Sequence, residues 1–482
     1  MILLIFSNQL FENNELLKLA KKIYIIEDEL YFKKYKYHKM KLILHRATMK
    51  YYYDYIYNNY TKKIYYINFN ENYDNILNDD IIMYDTIDLN LNEKIKKLCK
   101  KNITIYESPL FLETLNDLLI YKNEYTKDNI YHHDNFYKWQ RKRLNILMNN
   151  DKPLYNKWSF DKENRFKFDK NYEDLNDIKI INNDYINEAK KYIMKHFKNN
   201  FGDIDNFIYP ITFEENKKHF KLFLNNRIKT FGKYQDGVSK NILFGSHSLI
   251  SMSLNIGLIN IKYIINKIMK YFNLYKNKNE IINSIEGFIR QIIGWRSFVR
   301  FIYIFHYKEI IKMNNLNHNN KLNDKWFNGS LGIEPIDYMI NKVKKYGYLH
   351  HIERLMYMGN FFLLCNINPN DVYKWFMICF IDSYEWVMVA NVYCMSQYAN
   401  NPNKIQMMTR PYFSSYNYII KMSDFKKDEW CIIWEALYYN FINNNKDMLK
   451  NNYSTAIMVK HWLNKSIKQK KELINIAKKY LY

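Results

Sequence analysis

The sequence predicts an α/β N-terminal domain joined by a long connector to a large all-α domain. Three observations predict it. Short apolar runs alternate with amphipathic stretches over residues 1–120, a helical period dominates after residue 210, and a polar, weakly periodic segment lies between. At 482 residues the chain is too long for one ordinary core, and its 48% apolar fraction can fill two or three. The divisions read as 1–120, 121–205 and 206–482.

Each element follows from its residues. Ile2–Phe6, Ile23–Ile26, Ile64–Ile67 and Ile103–Tyr106 read as buried strands, and Tyr37–Tyr57 reads as a helix. Strand–helix alternation implies a Rossmann-like parallel sheet with helices on its faces. The first strand runs into Ser7-Asn8-Gln9-Leu10 without a glycine-rich loop, which excludes a dinucleotide fingerprint. The connector carries two dense clusters, Trp139-Gln140-Arg141-Lys142-Arg143 and Trp158-Ser159-Phe160-Asp161 followed by Asn164-Arg165.

Composition narrows the class of partner. Lys and Arg number 72 against 49 Asp and Glu, a surplus of 23 that favours a polyanion through counterion release. A basic but otherwise soluble protein is the bland alternative. The 46 tyrosines belong to a general Tyr/Asn/Lys/Ile bias, so many of them carry no message. Cys99, Cys365, Cys379, Cys394 and Cys431 are odd in number and scattered, fitting neither a disulfide framework nor a zinc knuckle. Free thiols in a reducing compartment are expected. Met1–Phe6 is too short for a signal peptide core, and nothing approaches the ~18 apolar residues of a membrane span. The expectation is a soluble intracellular protein, of cytoplasm or nucleus.

Four constellations could carry chemistry. Gly245-Ser246-His247-Ser248-Leu249-Ile250-Ser251 places a glycine, hydroxyls and a histidine before an apolar helix, a donor-rich start that suits a pyrophosphate or an ordinary N-cap. In Glu286–Arg296, residues Gly287, Gln291, Gly294 and Trp295 share a helical face, and Glu286 and Arg290 pair at i, i+4. Its two glycines cost roughly 1 kcal/mol each, which a flat ligand, a close backbone approach or a helix crossing would repay. In Tyr348–Asn360, His351 lies on one face with Leu355 and Met358, and no third ligand of suitable spacing accompanies the His350-His351 pair, so no metal is expected. Asp382 lies among Phe380, Ile381, Tyr384 and Trp386 and needs a partner if buried; Arg354 is the attractive one.

In this order the motifs resemble the photolyase/cryptochrome superfamily, and within it the deoxyribodipyrimidine photolyase-related branch that includes the iron–sulfur bacterial cryptochromes and photolyases. The resemblance covers nearly the whole chain, through Tyr37–Arg46, Phe231–Asp236, Glu286–Gln291, His350–Met356 and Met422–Phe425. It implies that the helical domain binds FAD. His247, Ser248, Leu249 and Ser251 match the phosphate cradle, with Tyr234, Glu286, Arg290, Arg296 and Asn391 as further cofactor contacts. Arg354 and Asp382 match the ion pair beside the flavin ring. Trp295, Gln291, Met395 and Tyr412 match the lesion pocket, and His351 takes the position of an active-site histidine of (6-4) photolyases. The second histidine of animal-type (6-4) enzymes is Leu355 here.

Trp386 and Trp375 are the expected electron relays, with ordinary core packing equally open for each. Glu29, His38 and His45 are the expected contacts of an antenna chromophore, a ribolumazine in the nearest relatives, unless the N-terminal domain is purely structural. The iron–sulfur branch places three cluster cysteines after its Met-Ser-Asp motif; Lys426–Ile433 holds only Cys431, so no cluster is expected. The implied activity is a lyase that uses reduced FAD and light on flipped-out lesions of UV-damaged DNA, acting as a monomer. Loss of the cluster and of the second histidine tips the lesion toward cyclobutane pyrimidine dimers, with (6-4) photoproducts or a repair-free photosensor as the alternatives.

Overall fold

A computed structural model describes residues 1–126, 130–175, 177–401 and 404–481. Five parallel strands form one sheet in the order β3-β2-β1-β4-β5, with β1 at Ile2–Phe6, β2 at Lys22–Ile26, β3 at Lys63–Ile67, β4 at Ile81–Tyr84 and β5 at Ile103–Tyr106. The order reflects burial. All five residues of β1 are buried, as a central strand covered on both faces requires, whereas edge strands β3 and β5 hold partly exposed residues. The sheet gains one strand over expectation: β4 pairs with β1 through Ile2–Ile81 and Leu3–Ile82. The loop after β1 is tied to the end of β4 through its amides, with Gln9 Nε2 donating to Tyr84 O at 2.6 Å and Asn8 Nδ2 to Thr86 O at 2.6 Å. That loop seats the helical half. Leu10 N donates to Ile256 O at 2.9 Å, and Phe11 packs so tightly on Gly257 that a Cβ there would meet its ring at 2.6 Å.

The predicted Tyr37–Tyr57 helix runs Lys39–Asn59, started by His38 Nδ1 accepting from Met40 N at 3.0 Å. Met40 through Met49 are all buried because this helix is the seam between the two domains. His38 Nε2 donates to Val343 O and Lys344 O at 3.0 Å, and His45 Nε2 meets Tyr384 Oη at 2.8 Å. Arg46 bridges Glu27 at 2.8 Å and Glu188 at 2.7 Å. The connector is more ordered than its polarity suggests. It holds helices His133–Leu144 and Asp184–His196, the latter packed along the seam helix. Helices dominate the remainder; one buried apolar cluster spans both domains, and a second gathers Phe220, Phe223, Phe231 and Phe288 with neighbouring isoleucines. No helix among the described residues is long and apolar enough to cross a membrane.

Candidate active site

Three helices widen where the predicted site residues fall. Arg290–Trp295, Glu353–Gly359 and Ala390–Ser396 are π-helical. A π turn inserts one residue, re-aims the side chains after it and occurs mostly where function needs that. The first carries Gln291 and Trp295, the second Arg354, the third Asn391 and Met395. The second and third touch each other, and the helix Arg296–Ile310 contacts both the first and the third.

Arg354 meets Asp382 as expected. Nη1 and Nη2 donate to Oδ1 and Oδ2 at 2.9 and 3.1 Å, a two-point pair that fixes both planes. Arg354 Nε donates to Leu349 O at 2.6 Å, and its guanidinium lies 4.0 Å from the Phe380 ring centre. Ser251 Oγ donates to Asp382 Oδ2 at 2.6 Å, and Asn255 Nδ2 to the Asp382 carbonyl at 3.0 Å. From the other side Lys41 donates to Ser383 Oγ at 3.0 Å and to the Ser383 carbonyl. Burial pushes the Lys41 amine down to about 7, against the pull of Asp382.

The phosphate-cradle expectation needs a correction. The helix after the donor-rich loop is only Ser251–Ile256, too short for much macrodipole, and the Ser251 hydroxyl is committed to Asp382. Ser248 uses its carbonyl on His219 Nε2 at 2.8 Å. The loop is strained instead at Leu249, whose φ is 53°, and it turns at Gly245, whose φ of 51° a glycine adopts freely. A β-carbon at Gly245 would meet Phe168 at 2.6 Å. Positive φ at a buried leucine persists only where its surroundings enforce it, as functional loops do.

Arg296 also reaches this helix, with Nη2 donating to Leu254 O at 3.5 Å. Nη1 donates to Leu110 O at 2.7 Å, and its guanidinium sits 4.1 Å from the Phe111 ring and 5.1 Å from that of Trp386. No carboxylate among the described residues pairs with it, and burial pushes its pKa down to about 9. Arg296 Nε, Ser253 Oγ, Trp386 Nε1 and His247 Nε2 are buried without hydrogen-bond partners. Orphaned donors of that kind cost about 1–3 kcal/mol each unless a ligand meets them. The donor set therefore fits a ligand carrying an anionic segment and a polar ring, as FAD does.

The structure also corrects the ligand count at His350-His351. His247, from the strained loop, stacks on His350 with ring centres 4.4 Å apart and meets His351 edge-on at 5.7 Å. Their ligand atoms lie within 4.8 Å of one another. Burial pushes the His247 and His350 imidazoles well below the usual histidine range, with His351 and Lys342 adding to it at both. The same Lys342 and the nearby Arg227 oppose a dication at the trio. His351 alone is well exposed, and its Nε2 lies 3.2 Å from Asp236 Oδ1.

The connector supplies residues that the sequence alone did not reveal. His133 stacks on Trp295 at 3.8 Å with ring planes 7° apart, and its Nε2 lies where a Gly294 β-carbon would stand, at 2.8 Å. Asn164 fills the equivalent space at Gly287, also at 2.8 Å. The two glycines thus admit connector side chains and not a flat ligand; they were the available signal for these contacts. Glu286 and Arg290 pair at 3.2 Å as expected, yet their other bonds go to Phe160 N at 2.9 Å and Asp161 at 2.9 Å. They brace the connector. Arg165 pairs with Asp161 beside Tyr412, whose hydroxyl pKa burial raises while Arg410 and Arg165 oppose the rise.

The other predicted residues divide. Asn391 donates to Val387 O at 2.8 Å, which leaves its carbonyl oxygen for a ligand, and Met395 is partly buried on the same wide turn. Tyr234 donates to Asp169 and packs on Phe168 at 5.2 Å, two connector residues. Trp386 meets Phe111 at 5.1 Å, while Trp375 meets Phe362, Phe376 and Phe380 within 5.7 Å; among the described residues no ring contact joins the two tryptophans. The antenna residues do not converge. Glu29 is a surface partner of Lys33 at 3.6 Å, and His38 and His45 are spent on the domain seam.

Residues 3–209 match the family model described as deoxyribodipyrimidine photo-lyase-related protein. A (6-4) photolyase of Agrobacterium fabrum is 30% identical over 337 residues, covering 68% of this chain and 65% of that relative. The bacterial class III photolyase of Agrobacterium tumefaciens superposes with a TM-score of 0.57 at 14% identity, over 87% of this chain and 83% of its own. The Synechocystis sp. PCC6803 cryptochrome does so with 0.59 at 12% identity, over 98% and 93%.

Proposed function

We propose that this chain, which belongs to the photolyase-related branch of the photolyase/cryptochrome superfamily, is a light-driven DNA repair lyase that uses FAD. The observation that carries the reading is the Arg354–Asp382 pair, with buried polar atoms of Arg296, Ser253, Trp386 and His247 lacking partners in the same helical half. Bound and reduced, FAD would supply the photoexcited electron that opens the lesion and is then returned.

The chain's own residues do the rest. Arg354 and Asp382 hold a polar ring between fixed charges, and Ser251 and Asn255 keep Asp382 from turning away. Arg296 offers positive charge to the anionic segment of the cofactor, and Asn391 offers a carbonyl oxygen. Trp295, locked by His133, with Met395 and Tyr412, would form the wall that receives a flipped base. The +23 surplus favours the DNA backbone.

We favour the (6-4) photoproduct over the cyclobutane dimer as the lesion. Dimer splitting needs an electron and its return; the (6-4) lesion also needs a proton at the transferred group. His351 can hold one, being exposed toward solvent, oriented by Asp236 at 3.2 Å and backed by neutral His247. The named Agrobacterium fabrum relative supports the same lesion. Leu355 in place of a second histidine keeps dimer splitting as the second reading.

The test is direct. The purified, reduced protein is illuminated with oligonucleotides bearing either lesion, and restoration is followed by chromatography. Restoration of the (6-4) lesion, lost in His351→Ala, is expected. Restoration of dimers alone would return the assignment to dimer splitting, and no light-dependent restoration of either would remove the repair reading.

A further inference from the structure

The C-terminal helices carry a charge pattern that the site above does not use. Helices Trp430–Leu449, Tyr453–Leu463 and Ile467–Leu481 enclose a groove of about 500 Å³ lined by Lys446, Trp462, Lys470, Lys471, Ile474 and Lys478 among others, with no acidic residue in its wall. Lys446, Lys471 and Lys478 are exposed, and no carboxylate among the described residues comes within 4.0 Å of their amines. Some lysines elsewhere are paired, with Lys94, Lys217 and Lys342 each holding a carboxylate at 2.7 Å or less.

The groove is built on a fixed floor. Trp462 Nε1 donates to Asn443 Oδ1 at 3.1 Å, and its ring stacks on Tyr439 at 5.6 Å. Lys470 is spent on Leu463 O at 2.7 Å, which leaves the other three amines for a ligand. Lys471 and Lys478 are two helical turns apart on one face, about 10 Å. That is close to three base-pair steps of about 3.4 Å along a DNA strand. Phe413, the neighbour of Tyr412, packs on Tyr438 and Phe441 at 5.5 and 4.8 Å, and Lys446 follows about 8 Å further along the same helix.

We infer that this lysine groove is a second DNA contact, holding backbone phosphates of the flanking duplex whatever their sequence or damage. The inference rests on the DNA-acting reading above. The exposed Leu463 and Ile467 beside it make an anionic bilayer the rival surface.

The test uses the full-length flavoprotein and its variant Lys446→Ala/Lys471→Ala/Lys478→Ala, with the corresponding triple glutamine variant as a check on folding. Binding to damaged and undamaged duplexes is measured across a salt series. The slope of log K against log salt should flatten by about 2–3 units, since each phosphate contact contributes about 0.9. The flattening should be equal for both duplexes, with flavin content and the damaged-to-undamaged affinity ratio unchanged. An unchanged slope in both folded variants overturns the inference while leaving the repair reading intact. A wild-type protein that binds neither duplex overturns both. Lysine-dependent binding to phosphatidylcholine–phosphatidylserine vesicles with an unchanged DNA slope assigns the groove to a membrane and also overturns it.

Discussion

Two largely enclosed arginines of the helical half face opposite situations. Arg354 has its counter-charge built in, two bonds to Asp382 at 2.9 and 3.1 Å. Arg296 has only carbonyls and aromatic faces, with Nε unpartnered and its pKa pushed down to about 9 by burial. The nearest acid is already spent, since Glu113 accepts from Gln140 at 3.1 Å and Ser297 at 3.0 Å and pairs with Arg300 at 3.4 Å. A buried cation without a counter-ion is costly, so the protein leaves that charge for a ligand to neutralise. One region is complete as folded, and under the proposed function the other is completed by the cofactor.

The largest effect should come from breaking the complete pair. Asp382→Asn leaves Arg354 buried and unpaired, and the expected cost is about 3–5 kcal/mol by denaturant unfolding, together with flavin loss. Next is a pH effect that separates the site from the seam. Burial lowers His38 to about 4, so the unfolded state binds the extra proton between about 4 and 6.5. The stability His38 contributes is complete above about pH 6.5 and falls by about 3 kcal/mol as pH drops through 4. A His38→Gln variant should flatten that part of the stability curve, and an unaltered curve would move acid sensitivity elsewhere.

Arg296→Met should act with the opposite sign to Asp382→Asn. Without flavin the variant should unfold at equal or higher denaturant, by about 1 kcal/mol, because an uncompensated charge has gone. Its flavin affinity should drop at least about tenfold, the worth of one charge-assisted bond. Destabilisation of the flavin-free variant to the level of Asp382→Asn would break the comparison. The smallest structural effect is expected for Trp386→Phe, about 1 kcal/mol or less. Slower photoreduction of the flavin, measured by absorbance under blue light, would sharpen Trp386 as a relay; an unchanged rate with Trp375→Phe slowed would move the relay to the Phe380 side.

Much of this was legible in the residues, for identifiable reasons. Four strands were visible because Ile-rich runs are bounded by polar residues. Ile81–Tyr84 was missed because four residues between Asp80 and Asp85 resemble a turn-flanked fragment. The Arg354–Asp382 partnership followed from the cost of an aspartate among aromatics. The π turns left no compositional trace, so faces drawn at 3.6 residues per turn, such as His351 with Leu355 and Met358, do not survive past Glu353. His133 and Asn164 were hidden by the polarity of the connector, although Gly294 and Gly287 had asked for close neighbours. Glu29, His38 and His45 were assigned by likeness alone, and solvent and the domain seam account for them.

The account turns on whether the Arg354–Asp382 region is where flavin is held. The most direct measurement is the flavin-to-protein ratio of the purified wild type and of Asp382→Asn, with folding checked by circular dichroism. Near-stoichiometric, non-covalent FAD in the wild type and almost none in a folded variant is the predicted result. Full occupancy in both, or a folded wild type with no affinity for FAD, would contradict it.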